Sequence, residues 1–338
     1  MKALAWTGAK NFEVQEIPQP VAAPGRIIVQ VKAAAVCGSD SHLSDFGARP
    51  PLIPGHEVSG VVAEIGAGVT GLKAGDRVVL DPVQRCGDCW CCTHGVGHLC
   101  INYRHLGDLA TPGGWAERVA IDAANAYRLP DNLSFEAAAL VEPAAVCYES
   151  YERAALKPGD RVLILGDGPF GFLHAQMARA RGAGQIIVAG HYDRRLERIA
   201  EKTGALICNT HRQDLSELLK RAIGVPGVDL VIEATGAGAS PNVGIRALRP
   251  RGSMVIFSYI WKPDALEMGL IHMRELNLLG ACRSLNAYQA CLNLLASGKI
   301  STETLVDIKA PLTAHRAVME RLATAKSEVF KAVFLPET

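Results

Sequence analysis

Four cysteines lie within fifteen residues, in the run CGDCWCCTHGVGHLC. Cys86, Cys89, Cys92 and Cys100 have the spacing Cys-x2-Cys-x2-Cys-x7-Cys, which lets four thiolates converge tetrahedrally on one zinc ion. A pair of disulfides is the alternative, but residues only three apart make poor partners and disulfides are rare in a reducing cytosol. Cys91 lies inside the run and is interpreted as spare. The spacing therefore predicts a structural zinc site.

A second set of potential metal ligands lies nearer the N-terminus, in VCGSDSHL at 36–43 and GHEVSG at 55–60. Taken alone, Cys37 would be a small buried hydrophobe and His56 an ordinary polar residue. A catalytic zinc, however, needs about three protein ligands and one open position. The occurrence of Cys37 together with the Gly-His-Glu run favours such a site. The candidate site residues of these two runs are Cys37, Ser39, Asp40, His42, His56 and Glu57.

A glycine-rich turn follows in RVLILGDGPFG at 161–171. Gly166, Gly168 and Gly171 come after an apolar strand and open a helix, and Pro169 and Phe170 occupy free positions. In that context G-x-G-x-x-G lets the backbone approach a pyrophosphate, which then binds at the helix N-terminus. The alternative is a tight strand-to-helix turn without a ligand. The flanking elements favour a dinucleotide site.

The elements that must position these residues change type along the chain. Up to about residue 133, short strands alternate with Gly- and Pro-rich turns, and both cysteine-containing motifs fall in loops between them. From 134 the spacing is helical, with Ser134 as N-cap and Pro143 at a break or a fresh start. The predicted strands are FEVQEI, RIIVQVKAAAV, EVSGVVAEIG, DRVVLD and WAERVAI.

From residue 160, continuous apolar strands alternate with amphipathic helices, which predicts a parallel, doubly wound α/β sheet of the Rossmann type. A dinucleotide-binding part, from about residue 145, thus follows the β-rich part. Strands are predicted over 161–166, 185–190, 206–210, 228–236, 252–258, 277–281, 305–309 and 330–335, and helices over 170–181, 193–203, 214–223, 240–248 and 286–297.

Composition excludes several classes of protein. The chain has 338 residues, 49% of them hydrophobic, and a net charge of +1 without a basic tract. Nucleic acid and membrane surfaces are therefore unexpected partners. The first residues do not read as a secretory signal, and no apolar run reaches membrane-spanning length. With ten cysteines, a cytoplasmic location is expected.

The combined motifs resemble the zinc-dependent medium-chain alcohol dehydrogenases, whose signature G-H-E-x2-G-x5-G-x2-V matches residues 55–69. The resemblance implies that residues 286–338 return to the β-rich part. The expected domains are therefore a GroES-like β-rich catalytic domain over 1–144 and 286–338 and a dinucleotide-binding domain over 145–285, with the active site between them. The resemblance also implies that Cys37 and His56 ligate the catalytic zinc. Glu142, in LVEPAAV, stands where the polyol and threonine dehydrogenase branch has its third ligand. Glu57 either approaches the metal as a further ligand or contacts one of the ligand residues without binding the metal.

The same resemblance implies the chemistry. Zinc would act as a Lewis acid on the substrate oxygen, while a nicotinamide cofactor exchanges hydride with the substrate carbon. Ser39 would hydrogen-bond the substrate oxygen, and a relay through the cofactor ribose would reach His42; the alternatives are a turn serine and a loop histidine. Asp40 would orient the zinc loop or the histidine ligand.

Four further positions are less specific. The resemblance places Arg283 at the substrate and Lys331 near a cofactor phosphate, although Arg283 could equally be a surface residue. Thr235 ends a strand at the sheet edge where cofactor contacts gather. Cys147 departs from the glycine usual in the family and is either a packing residue or an extra thiol near the metal.

Cofactor choice depends on the residues after the second strand of the Rossmann sheet. NAD enzymes usually offer an acid to the adenosine ribose there, whereas this chain has glycine at the strand end and two arginines four and five residues later. The arginines could bind a 2′-phosphate, which favours NADP(H). In the alternative, the arginines are solvated and Asp193 is a displaced ribose ligand. The residues concerned are Gly190, His191, Tyr192, Asp193, Arg194 and Arg195.

The sequence thus predicts a zinc enzyme that interconverts a secondary alcohol and a ketone, the substrate being a polyol, sugar or hydroxy-amino acid. The resemblance implies a homo-oligomer, either a dimer or a tetramer. Two alternatives remain on the same fold. One is a zinc-free quinone or enone reductase, which would lack the Gly-His-Glu motif and the cysteine lobe. The other is a non-catalytic cofactor-binding protein, which a turnover assay would distinguish.

Overall fold

The computed structural model describes residues 1–9, 11–108, 111–223 and 227–336. The chain folds into two compact units. The first comprises Met1–Pro143 and Tyr288–Thr338, and the second comprises Ala144–Ala287. Within the described residues, no helix combines the length and the apolar character needed to cross a bilayer.

The first unit begins with strands that form one large sheet and two small ones. Its elements are β1 (Lys2–Gly8), β2 (Asn11–Glu16), β3 (Arg26–Ala35), β4 (Glu57–Ile65), β5 (Arg77–Leu80), β6 (Val83–Gln84), α1 (Trp90–Thr93), β7 (Arg104–His105), β8 (Arg118–Asp122), β9 (Ala126–Arg128) and α2 (Phe135–Ala139). The Ser134 hydroxyl accepts a hydrogen bond from the Ala137 N–H at 3.2 Å, so Ser134 caps α2 as predicted. Helix α3 (Val141–Ala154) then starts afresh after Leu140, with Pro143 in its first turn.

The second unit alternates strands and helices. Its elements are β10 (Arg161–Leu165), α4 (Pro169–Ala180), β11 (Gln185–Gly190), α5 (Asp193–Thr203), β12 (Leu206–Asn209), α6 (Leu215–Ile223), β13 (Val228–Glu233), α7 (Ser240–Ala247), β14 (Leu248–Ile256), α8 (Met268–Met273) and β15 (Asn277–Gly280). The six strands are parallel, in the order β12-β11-β10-β13-β14-β15. Their apolar residues are buried because helices cover the sheet. The predicted doubly wound fold is confirmed.

The last part of the chain returns to the first unit. It comprises α9 (Tyr288–Ala296), β16 (Val306–Ala310), α10 (His315–Thr324) and β17 (Lys331–Phe334). Strand β17 pairs with β3, which gives the sheet order β16-β17-β3-β4-β5-β9, with β8 also on β3. The core of this unit includes Trp115, whose ring meets Phe334 edge-on at 5.2 Å. The C-terminal strand is therefore part of the same β-rich unit as the two cysteine-containing motifs.

Candidate functional site

The end of β3 and the start of β4 bring the first group of potential ligands together. These antiparallel strands pair Ala35 with Glu57, so the residues just beyond them, Cys37 and His56, become neighbours. The Cys37 Sγ, a ring nitrogen of His56 and a carboxylate oxygen of Glu57 all lie within 4.8 Å of one another. A thiolate, an imidazole and a carboxylate are a donor set that suits zinc.

The Asp40 carboxylate holds two members of this group in place. Asp40 is buried, and its Oδ2 accepts a hydrogen bond from the Cys37 N–H at 2.9 Å. Its Oδ1 lies 3.7 Å from the His56 Nδ1. These contacts are those expected of a residue that orients both the cysteine loop and the imidazole.

The glycine before His56 is required by close packing. Gly55 has φ +98°, and a Cβ at this position would lie 2.5 Å from the Trp115 side chain. Any other residue would both strain the backbone and displace this core tryptophan. The first glycine of the Gly-His-Glu motif therefore positions His56 through the packing of the β-rich unit.

Lys331 lies where the sequence did not predict it. The residue is 3% exposed, and its Nζ donates to the Val36 carbonyl at 3.0 Å and pairs with the Glu57 Oε1 at 2.5 Å. The ammonium is thus engaged by Val36 and Glu57, and its contact with a cofactor phosphate stays a prediction. Glu57 Oε2 is also buried, and it has no hydrogen-bond partner among the described residues.

Burial and neighbouring charges shift the pKa values of His56 and Glu142. Although burial by itself lowers the pKa of His56, the Cys37 thiolate, Asp40 and Glu142 raise it well above its usual value. Burial raises the pKa of Glu142 to about 7, while His56 opposes that shift. Glu142 is thus within electrostatic range of His56 but lies outside the 4.8 Å group.

The predicted relay residues lie on the short 3₁₀ helix Gly38–His42, directly after Cys37. Ser39 is partly buried and His42 is exposed. The His42 Nδ1 lies 2.8 Å from the Asp45 Oδ2.

The four-cysteine run forms a second cluster. The sulfur–sulfur distances are 3.3 Å for Cys86 and Cys100, 3.6 Å for Cys89 and Cys92, 3.7 Å for Cys89 and Cys100, and 4.0 Å for Cys86 and Cys92. A tetrahedral zinc with Zn–S bonds near 2.3 Å would separate its sulfurs by about 3.8 Å. The cluster therefore has the size of a zinc site, and Cys91 is not part of it.

The glycine turn lies at the carboxyl end of β10. Gly166 has φ +122°, a backbone conformation that favours glycine. A Cβ on Gly171 would lie 2.0 Å from the Gly166 carbonyl oxygen, so the close approach of α4 to this turn also requires glycine. Gly168 caps the helix, and nothing lies within 4 Å of a Cβ built on it. The open face at Gly168 fits a phosphate approaching the helix N-terminus.

A residue that sequence reasoning missed lies against the end of β11. Asp167, between the first two glycines, is 8% exposed, and its Oδ2 accepts hydrogen bonds from the N–H groups of His191 (2.8 Å) and Tyr192 (2.7 Å). Arg194 is exposed, and the Arg195 guanidinium lies 5.4 Å from the centre of the Tyr192 ring. The sequence contained one signal for this contact, namely an acidic residue in the glycine-rich turn combined with a glycine at the end of the next strand.

The other predicted positions have local partners. The Thr235 N–H and hydroxyl both donate to the Glu233 Oε1, at 2.7 and 2.6 Å. Phe170 packs edge-on against Phe257. Arg283 is partly buried, with φ +61°, just after β15. Cys147 is fully buried in α3, which fits the packing role.

Comparisons with known proteins identify the family of this chain. The profile of the alcohol dehydrogenase GroES-like domain matches residues 23–131, and that of the zinc-binding dehydrogenases matches residues 169–297. Sorbitol dehydrogenase of Bacillus subtilis (strain 168) is 31% identical over 344 positions, which cover 99% of this chain and 97% of the relative.

Two solved structures are similar over 99% of both chains. One is described as a zinc-binding dehydrogenase from Sinorhizobium meliloti 1021 bound to NADP, with 31% identity and a TM-score of 0.92. The other is an alcohol dehydrogenase from Escherichia coli CFT073 in complex with NADH, with 26% identity and a TM-score of 0.93. The predicted fold and reaction class are confirmed. The chain belongs to the zinc-dependent medium-chain alcohol dehydrogenases, in their polyol dehydrogenase branch, and is an oxidoreductase that acts on CH–OH groups.

Proposed function

We propose that this enzyme oxidises a secondary alcohol of a polyol or sugar, or reduces the corresponding ketone, with a nicotinamide cofactor. A hydroxy-amino acid is the remaining substrate class. The observation that carries the proposal is the group formed by Cys37, His56 and Glu57, with Asp40 behind it. Each unit supplies one part of the chemistry, a metal site in the first and a nucleotide turn in the second.

The residues present fit a catalytic zinc. Cys37 and His56 would be two ligands, and Glu142 the third. The buried, unbonded Oε2 of Glu57 supports a fourth donor beside them. When bound, zinc would supply a Lewis acid that polarises the substrate oxygen.

The proton of the alcohol would be passed on by Ser39 and His42, two residues of the 3₁₀ helix that follows Cys37. The Ser39 hydroxyl can both accept and donate a hydrogen bond, as a relay requires. His42 is exposed and its ring contacts Asp45, so it can exchange a proton with water. Cys86, Cys89, Cys92 and Cys100 would hold a second, structural zinc that shapes the lobe.

For the cofactor, the predicted turn residues Gly166, Gly168 and Gly171 would receive the pyrophosphate. The sequence favours NADP(H) because of Gly190 and because Arg194 and Arg195 lie in the first turn of α5. The Asp167 carboxylate beside the same strand end favours NAD(H) instead. Thr235 and Arg283 stay predicted contacts of the cofactor and the substrate.

A cytoplasmic location is also part of the proposal. All ten cysteines are unbridged, as expected in a reducing compartment. An assembly of two or four identical chains stays a prediction.

The decisive experiment is a turnover assay of the zinc-loaded protein with a panel of polyols, sugars, hydroxy-amino acids and simple secondary alcohols, run with both nicotinamides. We expect activity on polyhydroxylated substrates and none in Cys37→Ser, with Cys147→Ser as a matched buried-cysteine control. Absence of turnover across the panel, or an active Cys37→Ser variant, would reject the proposed function.

A further inference from the structure

NAD-selective Rossmann enzymes place a carboxylate at the end of the second strand of the sheet. In this chain the corresponding strand, β11, has no acidic residue at its end. Strand β11 ends in Gly190, and the space beside it is filled. A Cβ built on Gly190 would lie 2.4 Å from both the Cβ and the Cγ of Asp167, and 2.5 Å from its Oδ2. Asp167 therefore occupies the volume into which a side chain at position 190 would point.

The backbone determines the position of this carboxylate. Strands β10 and β11 are neighbours, with Leu165 opposite Ala189, and the Gly166 N–H donates to the Ala189 carbonyl at 2.8 Å. Asp167, the next residue, is thereby held against the end of β11. Its Oδ2 receives the N–H groups of His191 and Tyr192, where helix α5 begins.

We propose that Asp167 replaces the strand-end acid, binds the hydroxyls of the adenosine ribose, and makes the site selective for NAD(H) over NADP(H). The inference rests on the proposed use of a nicotinamide cofactor. The two N–H bonds use Oδ2, so Oδ1 is the oxygen offered to the ribose. A 2′-hydroxyl can donate to it, whereas a 2′-phosphate is an anion that the carboxylate repels.

Two neighbouring groups could have served instead. The Asp193 carboxylate is already engaged, because it accepts from the Asn209 Nδ2 at 2.5 Å and pairs with the Arg212 Nη1 at 2.8 Å. A phosphate could bind the N–H groups that open α5, but those of His191 and Tyr192 already donate to Asp167. Arg194 and Arg195 are the remaining argument for NADP(H), and a binding experiment decides between them and Asp167.

The test uses the full-length, zinc-loaded protein and two fragments without nicotinamide, 5′-AMP and 2′,5′-ADP, measured by isothermal titration calorimetry. We expect the wild type to bind 5′-AMP at least about tenfold more tightly, as for a lost charged hydrogen bond. Asp167→Asn keeps the shape and one acceptor oxygen, and should reduce this ratio by about tenfold. Asp193→Asn is the matched control and should leave the ratio unchanged.

A double substitution tests the geometry independently of any loss of folding. Gly190→Asp alone should weaken 5′-AMP binding and lower the melting temperature, because two side chains compete for one volume. Asp167→Ala combined with Gly190→Asp returns the acid to the strand end and should restore the preference for 5′-AMP. Failure to restore it would contradict a shared position for the two side chains.

Tighter binding of 2′,5′-ADP by the wild type, or an unchanged ratio of the two affinities in Asp167→Asn, would overturn this inference but not the proposed function. If neither fragment binds, the proposed nucleotide site fails and the inference fails with it. A preference for 5′-AMP that depends on Asp167 supports the inference even if no alcohol in the substrate panel is turned over.

Discussion

The Lys331 ammonium, on the last strand of the chain, is buried against the Glu57 carboxylate, 274 residues earlier in the sequence. The pair is almost completely shielded from water, with side-chain exposures of 4% and 0%. Burial by itself would lower the pKa of Lys331, but the Glu57 carboxylate raises it above its usual value. The lysine is therefore charged in the folded protein, and it neutralises a carboxylate beside the proposed zinc ligands.

Removal of one partner should be costly. Lys331→Met would leave the Glu57 charge buried and unpaired, which we expect to lower the free energy of unfolding by about 3–5 kcal/mol in urea denaturation. The control is Lys309→Met, at an exposed pair with Glu136, where the loss should stay below about 1 kcal/mol. Equal effects of the two variants would contradict the buried-pair interpretation.

Two zinc ions per chain are expected, with different roles. His56→Ala should lose one zinc and activity while the fold survives, whereas Cys92→Ser should lose the other and reduce stability by several kcal/mol. Cys91→Ser, in the same lobe, should keep both ions. Elemental analysis together with thermal denaturation measures each effect. One zinc or none in the fully metallated wild type would reject the two-site arrangement.

The third ligand can be identified by comparing two carboxylates. If Glu142 coordinates directly, Glu142→Ala should weaken the catalytic zinc by more than the roughly 10–100-fold typical of residues that only support a ligand. It should also lower kcat more than Glu57→Ala does. Competition with a chromophoric chelator reports the affinity without relying on turnover. A zinc-bound structure with Glu142 more than about 4 Å from the metal, against a bond near 2.1 Å, would exclude direct ligation.

His174 should make the protein sensitive to acid. Its ring is fully buried, against Phe257 at 4.5 Å and Tyr151 at 5.6 Å, and neither ring nitrogen has a hydrogen-bond partner among the described residues. Burial lowers the pKa of His174 to about 3. The unfolded chain takes up the proton near pH 6.5, so the stability conferred by the neutral ring is present above that pH. It is lost at about 1.4 kcal/mol per pH unit as the pH falls toward 3.

The measurement is the free energy of unfolding from pH 7 to 4 in wild type and His174→Met. The wild type should lose stability relative to the variant as the pH falls below 6.5. His272→Gln removes an exposed histidine and should follow the wild type throughout. Parallel pH profiles for wild type and His174→Met would show that the buried imidazole does not control the acid limb.

The sequence by itself determined the elements and the chemistry that depend on local spacing. Strand 185–190 and helix 193–203 lie where the apolar pattern predicts them, because burial on both faces of a sheet or on one face of a helix is written in consecutive residues. The four thiols of the cysteine lobe likewise converge as predicted. Their spacing needs only a short loop to bring them together.

Tertiary structure decided the contacts between distant residues. Lys331 reaches Glu57 because β17 pairs with β3, beside β4, and nothing near Lys331 in sequence indicates that pairing. The break at Leu140 between α2 and α3 and the helix over 315–324 also escaped the periodicity. Asp167 meets Gly190 only because two parallel strands end at the same edge. Sequence specifies such residues, but the pairing of the strands decides which of them share one volume.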